Sequence, residues 1–389
     1  MKMKKRWLLV AMLAHVCASA GLAADPTITV LARQRYPWNG LVDINFTITG
    51  TSGTKYDTSF TAKDMVGNTN IAMRTIRKTD GTAAAAKEQL QPGTYSWVWD
   101  AAADLPKDFQ CDRVTVSGSA AEHKYLYMVI DLSSGSSSSK YPVSYLDAAP
   151  SGGFNVNAYK TTKLVLRRCE AGTFKMQNSK NVTLTKAFFC GLFEVTQKQY
   201  KLVTGASPSN FSGDTLPVES VSYNSIRGSS NGAKWPSSSA VDSSSFMGKL
   251  RARTGLDFDL PTEAQWEYAC RAGTTTTYSY GNSADGNYMW YSSNSNSQPH
   301  PVGSKRANPW GLYDMHGNVW EWSLDWFGTL AYGTDPKGSS SGSYRVLRGG
   351  SWYIADEKRC TSSFRDGDTP SGENNSRHKG FRLVRTLSN

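Results

Sequence analysis

From residue 25 to about 130 the chain alternates apolar and polar positions in short runs broken by Gly, Asn and Asp. LVDINFTITG (41–50), GTYSWVWDA (93–101) and YLYMVIDLS (125–133) carry β-branched and aromatic residues at alternate places. A period of two with such residues predicts strands with one buried face. Helical periodicity is nearly absent there, AAAAKEQL (83–90) being the exception. The pattern predicts an antiparallel β-sandwich domain over residues 25–150, acting as a spacer or an adhesive module. The serine-rich SSGSSSSK (133–140) is either a flexible linker or the tip of a hairpin completed by YPVSYLDAAP (141–150). The boundary accordingly falls somewhere in 133–158, and the second domain is assigned 151–389.

The texture changes from about 159. KLVLRRCEAGTFKM (163–176) and VTLTKAFFCGLFEVT (182–196) predict two strands joined by QNSKN. Thr196-Gln197-Lys198-Gln199 has the capping-box form, with Gly205 as the stop. Thr262-Glu263-Ala264-Gln265 repeats it ahead of Gly273, and SSFMGKLRART (244–254) puts Phe246 and Leu250 on one helical face. Residues 274 onward are mostly turns with a few short strands. Short helices beside a small sheet, with long loops, make an α+β fold. Loops of this length are functional or pinned by ions and disulfides.

Length and composition agree with two domains. The chain has 389 residues, 34 Gly, 12 Trp and only 19% charged residues, which suits a loop-rich fold. Lys2, Lys4, Lys5 and Arg6, the apolar run Trp7–Leu13 and the small residues through Ala24 form an export signal over 1–24, too short to span a bilayer. Those four cations account for part of the +11 formal charge, leaving +7 on the exported chain. The remaining Lys and Arg are scattered, which describes a solvated surface and not a nucleic-acid footprint. No other segment is apolar enough to be transmembrane. The protein is expected in the periplasm, on the cell surface or secreted.

Five cysteines would remain after export: Cys111, Cys169, Cys190, Cys270 and Cys360. None has zinc spacing. Cys169 and Cys190 fall on expected neighbouring strands, and Cys270 ends a helix that Cys360 could meet. Both pairs are expected disulfides, with Cys111 the odd thiol.

The most informative segment is GLYDMHGNVWEW (311–322). Asp314 and Glu321 bracket a turn with Gly317 and Asn318. Two carboxylates around a glycine turn suit a hard cation, because the turn lets backbone carbonyls complete an oxygen shell. With EAGTFKM (170–176), FFCGLFEVTQKQY (188–200), LPVESVSY (216–223), LPTEAQWEYACRAGTT (260–275), HPVG (300–303), RVLRGGSW (345–352) and GFRLVR (380–385), the chain resembles the formylglycine-generating enzyme (sulfatase-modifying factor) family over about 159–389. The resemblance implies a C-type-lectin-like fold and two structural calcium ions. The first would use Asp314, Gly317, Val319 and Glu321. The second would use Asn287, Tyr288, Asn294 and Asn296, with Asn294 standing where a carboxylate is usual.

The family's oxidation of a substrate cysteine uses two copper(I)-binding cysteines just after RGGS. Their places here are Ile354 and Arg359, with Cys360 one residue away, so copper is not expected. Ser351 matches the RGGS serine; Ser351 and Cys360 are the weak catalytic candidates. Non-haem iron, used by other branches, lacks its histidines here, and His316 reads as a surface residue. GSSSG (338–342) lacks the strand and helix of a nucleophile elbow. The expectation is a calcium-stabilised module that binds a protein or glycan on a loop-rich face with Trp320, Ser351, Trp352 and Arg365. The alternative is a formylglycine-generating-type oxidase acting on a cysteine of a protein such as a sulfatase.

Overall fold

The computed structural model describes residues 26–35, 39–50, 54–106, 114–372 and 377–387. They divide after Lys124 into two compact units. The expected export signal (1–24) and Cys111 lie outside the described residues.

In the first unit the period-two pattern becomes strands β1 (Thr27–Gln34), β2 (Leu41–Thr49), β3 (Tyr56–Asp64), β4 (Thr69–Ile71), β5 (Ile76–Arg77), β6 (Glu88–Leu90), β7 (Gly93–Asp100) and β8 (Val114–Glu122). One sheet runs β1-β2-β7-β5. In the other, β8 covers one edge of β3 while β4 and β6 share the opposite edge. All these pairings are antiparallel. On β2, Val42, Ile44, Phe46 and Ile48 point inward and meet Trp97, Trp99, Val114 and Val116 in a single core. The AAAAKEQL stretch is not helical. Its end forms β6, because Glu88–Leu90 pairs with Tyr56–Thr58 and edge pairing outweighs alanine's helix propensity.

The second unit starts at Tyr125, earlier than the sequence pattern placed it. Strand β9 (Tyr127–Asp131) belongs here because it lies between β10 (Val143–Leu146) and β11 (Lys163–Cys169). The serine-rich segment is thus the tip of an antiparallel hairpin. The five-stranded sheet runs β10-β9-β11-β14-β20, with β14 at Phe188–Gly191 and β20 at Val384–Thr386. Each long strand expected from the sequence is broken in two. Strand β12 (Gly172–Met176) pairs with β13 (Lys180–Leu184) in a separate sheet that the short β16 (Gly333–Thr334) joins in parallel. Strands β15 (Trp320–Trp326), β17 (Arg345–Arg348), β18 (Arg365–Asp368) and β19 (Lys379–Gly380) form a further sheet ordered β18-β17-β15-β19.

Helices pack on these sheets where the cap signals placed them. In Gln197–Thr204 and Glu263–Arg271 the capping boxes of Thr196/Gln199 and Thr262/Gln265 are both closed. Gly205 ends the first in the left-handed region, as expected. The second is capped instead by Ala272, one residue before Gly273. Phe246 and Leu250 of the Phe246–Thr254 helix are both fully buried. The unit is therefore mostly sheet and coil with a few short helices. Among the described residues no helix is long and apolar enough to cross a membrane.

The cysteine expectation is overturned. Cys169, Cys190, Cys270 and Cys360 are all buried free thiols. The β11–β14 register sets Cys169 opposite Phe188 and Cys190 opposite Arg167, so the two thiols are diagonal neighbours and not a facing pair. Between Cys270 and Cys360 lies the His316 ring. Its Nε2 is 3.7 Å from the Cys270 sulfur, and its Nδ1 is 2.7 Å from the Cys360 carbonyl oxygen.

Candidate functional site: a buried carboxylate turn and the surface beside it

The turn before β15 is built from left-handed residues. Asp314 (φ 57°), Gly317 (φ 85°) and Asn318 (φ 61°) reverse the chain three times within five positions. Gly317 is obligatory, since a Cβ there would lie 2.1 Å from the Trp290 carbonyl oxygen. Asn318 then knits neighbouring loops. Its Oδ1 accepts the His300 amide at 3.0 Å, and its Nδ2 donates to Glu194 at 2.7 Å.

Three carboxylates are buried around this turn: Glu194, Asp314 and Glu321. Glu194 also accepts the Val319 amide at 3.0 Å, and Asp314 accepts the Gly303 amide at 2.7 Å. Glu321 is gripped by both arms of Arg382 at 2.6 Å and by the Trp266 indole at 2.7 Å. Burial pushes Asp314 up to about 6, against the Gly303 hydrogen bond that stabilises its charge. Burial, with Asp314 and Glu321 close by, raises Glu194 well above the carboxylate range. Arg382 contacts Glu321 directly, and the charge of Lys160 favours the ionised form of Asp314, while Glu194 is held toward its neutral form.

Asp314 and Glu321 are the side-chain oxygens this turn offers, and Glu321 is already bonded to Arg382 and Trp266. Among the described residues no three Asp, Glu, His or Cys side chains converge on one metal position. An ion would therefore depend on backbone carbonyls of the turn as well as on Asp314 and Glu321. At the second set, Asn294 Oδ1 accepts the Tyr291 amide at 3.0 Å while its Nδ2 donates to the Met289 carbonyl at 3.0 Å. Asn287 donates from its amide and side chain to Asp285 at 2.8 and 2.9 Å. Tyr288 stacks on Tyr280 at 4.2 Å, and Asn296 occupies the left-handed region (φ 55°). This set carries no carboxylate and is largely satisfied internally, so it offers a cation less.

Sequence reasoning missed Glu194, Arg382 and Trp266. Glu194 follows the apolar run FFCGLF, and Arg382 sits in GFRLV. A lone charge in an apolar run is the available signal, because such a charge must find a buried partner.

The residues around RGGS do not form an exposed face. Trp320, Ser351 and Trp352 are all buried. Arg365 is held by Glu263 at 2.6 and 2.7 Å and by the Gly328 carbonyl at 2.7 Å. These four act as packing and pairing residues; what remains outside is Tyr353, about half exposed (52%). Ile354 is buried, and Arg359 pairs with Asp366 at 2.9 Å. The Cys360 sulfur lies so close to Gly350 that a Cβ there would be 2.4 Å from it. Burial pushes this thiol up to about 12, so it stays protonated and unreactive. Among the described residues, Ser351 Oγ has no hydrogen-bond partner.

His316 is buried and not on the surface, because the left-handed turn points it inward. It accepts the Ser279 hydroxyl or amide at Nε2 and meets the Cys360 carbonyl at Nδ1. Burial lowers its pKa to about 4, keeping it neutral.

The Sulfatase-modifying factor enzyme 1-like domain family matches residues 150–387. Chaperone protein LppX of Paenibacillus barcinonensis is 32% identical over 222 residues, covering 47% of this chain and 76% of its own. Formylglycine-generating enzyme of Streptomyces coelicolor is 37% identical over 145 residues, covering 32% of this chain and 46% of that one. Serine/threonine-protein kinase pkn1 of Chlamydia caviae is 42% identical over 134 residues, covering 32% of this chain. The match spans less than half of that formylglycine-generating enzyme and 21% of that kinase. Among solved structures, Treponema denticola variable protein 1 aligns with a TM-score of 0.48 at 28% identity, covering 58% of this chain and 96% of that one. The span matched by the family takes in the carboxylate turn, its Arg382 clamp and the RGGS loop, and the chain belongs to the Sulfatase-modifying factor enzyme 1-like family.

Proposed function

We propose that this chain is an exported, non-catalytic binding protein whose second unit has a C-type-lectin-like plan stabilised by calcium, with the first unit a β-sandwich spacer. The observation that carries this reading is the state of the RGGS loop. Ile354 and Arg359 stand at the two copper-ligand places the resemblance implies, and Cys360 is buried and protonated. A lone thiol without access cannot form the two-coordinate copper site that cysteine oxidation needs. Calcium is supported by the burial of three acids, Glu194, Asp314 and Glu321, around one turn. Asp314 and Glu321, with the carbonyls of Gly317 and Val319, would hold it. When bound, the ion would supply positive charge that rigidifies the turn.

The test is oxygen consumption by the purified chain with copper(I) and a cysteine-containing peptide. No uptake above a copper-only control is expected. Turnover that Cys360→Ser abolishes would overturn the binding reading in favour of a protein-modifying oxidase.

A further inference from the structure

We infer that Tyr353 and Arg377 form a subsite for an acidic sugar, a pyranose bearing a carboxylate, with His378 fixing the platform. This rests on the binding-protein reading and names a ligand class for the one RGGS-loop ring left outside. Three observations carry it. Tyr353 is the large aromatic left exposed by the loop that buries Trp352. The His378 ring stacks parallel to it at 5.8 Å with an interplanar angle of 13°, and Trp352 meets it edge-on at 5.5 Å. The ring is therefore held in place before a ligand arrives, and about half of the residue is exposed to solvent.

The third observation is Arg377. Its guanidinium lies 5.8 Å from the Tyr353 ring and 5.9 Å from Trp352. Among the described residues it has no carboxylate partner. Lys379, two residues on, is closed in a pair with Asp368, and Arg365 is spent on Glu263. Arg377 is thus a planar fork of donors over a half-exposed aromatic ring. A guanidinium recognises a carboxylate through paired N–H bonds. The negative face of an aromatic ring receives the weakly positive C–H face of a pyranose. A uronic acid combines both groups on one rigid ring.

An acidic peptide fits less well. Peptide recognition uses an open sheet edge, a groove or a helix slot. Here the loop amides are already engaged, Trp352 N–H with the Asn318 carbonyl and Ile354 N–H with the Ser351 carbonyl. The loop offers a ring and a cation, with no backbone ladder.

The test is calorimetric titration of the full chain with tetragalacturonate, with its neutral galactose counterpart and with hexaglutamate. Saturable binding of the uronate is expected, at least tenfold tighter than the neutral sugar and weakened by salt. Tyr353→Ala and Arg377→Gln should each weaken it at least tenfold with unchanged melting temperatures, since both side chains are exposed. Failure of the uronate to bind, binding that neither variant alters, or equally tight hexaglutamate binding with the same losses would overturn the proposal. A glycan array hit insensitive to both variants would remove this subsite yet leave the binding reading standing; copper-dependent turnover would remove that reading.

Discussion

At the scale of single residues, the buried charges define this protein more than its surface does. Asp325 on β15 is buried, and its Oδ2 accepts the Glu263 amide at 2.5 Å at the start of the Glu263–Arg271 helix. Burial, with the Glu263 carboxylate second, raises its pKa from 3.8 to about 7. The unfolded chain releases this proton near the ordinary value, while the folded chain holds it until about pH 7. Its stabilising contribution is fully present below the ordinary value and is lost as pH rises through about 7. The slope is about 1.4 kcal/mol per pH unit. Asp325→Asn keeps an acceptor but cannot ionise. Relative to wild type, it should gain roughly 2–3 kcal/mol between pH 5 and 7.5 in urea melts. Parallel pH profiles for the two proteins would refute the assignment. None of this was legible from LDW, where Asp325 reads as an ordinary polar position. By contrast Asp314 and Glu321 announced themselves by their spacing around Gly317.

At the scale of elements, local signals were reliable wherever one residue pair closes one structure. Thr262 and Gln265 satisfy each other's backbone donors, at 3.1 Å in both directions. This box starts the helix that carries Trp266 to Glu321 and Glu267 to Arg348. Thr262→Ala should cost about 1 kcal/mol in denaturant unfolding, with Thr262→Ser close to neutral. Equal losses in both variants would show that the cap does not set the helix. Strand boundaries were less legible. The run 163–176 reads as one strand, yet it splits at Glu170-Ala171, with β11 and β12 in different sheets. Periodicity records which side is buried, but not which neighbour supplies the next ladder.

At the scale of the whole molecule, the second unit has long irregular loops drawn toward the 314–321 turn. Loop residues Trp290, His300 and Gly349 all hydrogen-bond into it. If a cation occupies the turn, its removal should loosen the loops together. Chelation by EGTA should lower the melting temperature of the full chain, and added calcium should restore it. A hundredfold excess over the dissociation constant would correspond to about 2.7 kcal/mol. Coincident melting curves with and without chelator would exclude a structural ion. The two-unit division was legible as a change of texture. Its position was not, because β9 has the alternation of the first unit but pairs in the second.

The sequence by itself determined the strand-rich first unit, the capped helices, the glycine turn and the family motifs. Each depends on neighbours a few residues apart, so periodicity and spacing suffice to read it. The tertiary structure decided which charges are buried together, which thiols stay apart and which side chains of the RGGS loop reach solvent. Glu194 meets the 314–321 turn across more than a hundred residues, and Trp352 is buried while Tyr353 beside it is exposed. Those outcomes depend on how distant segments pack, because burial and partner are properties of three-dimensional neighbours that no local pattern encodes.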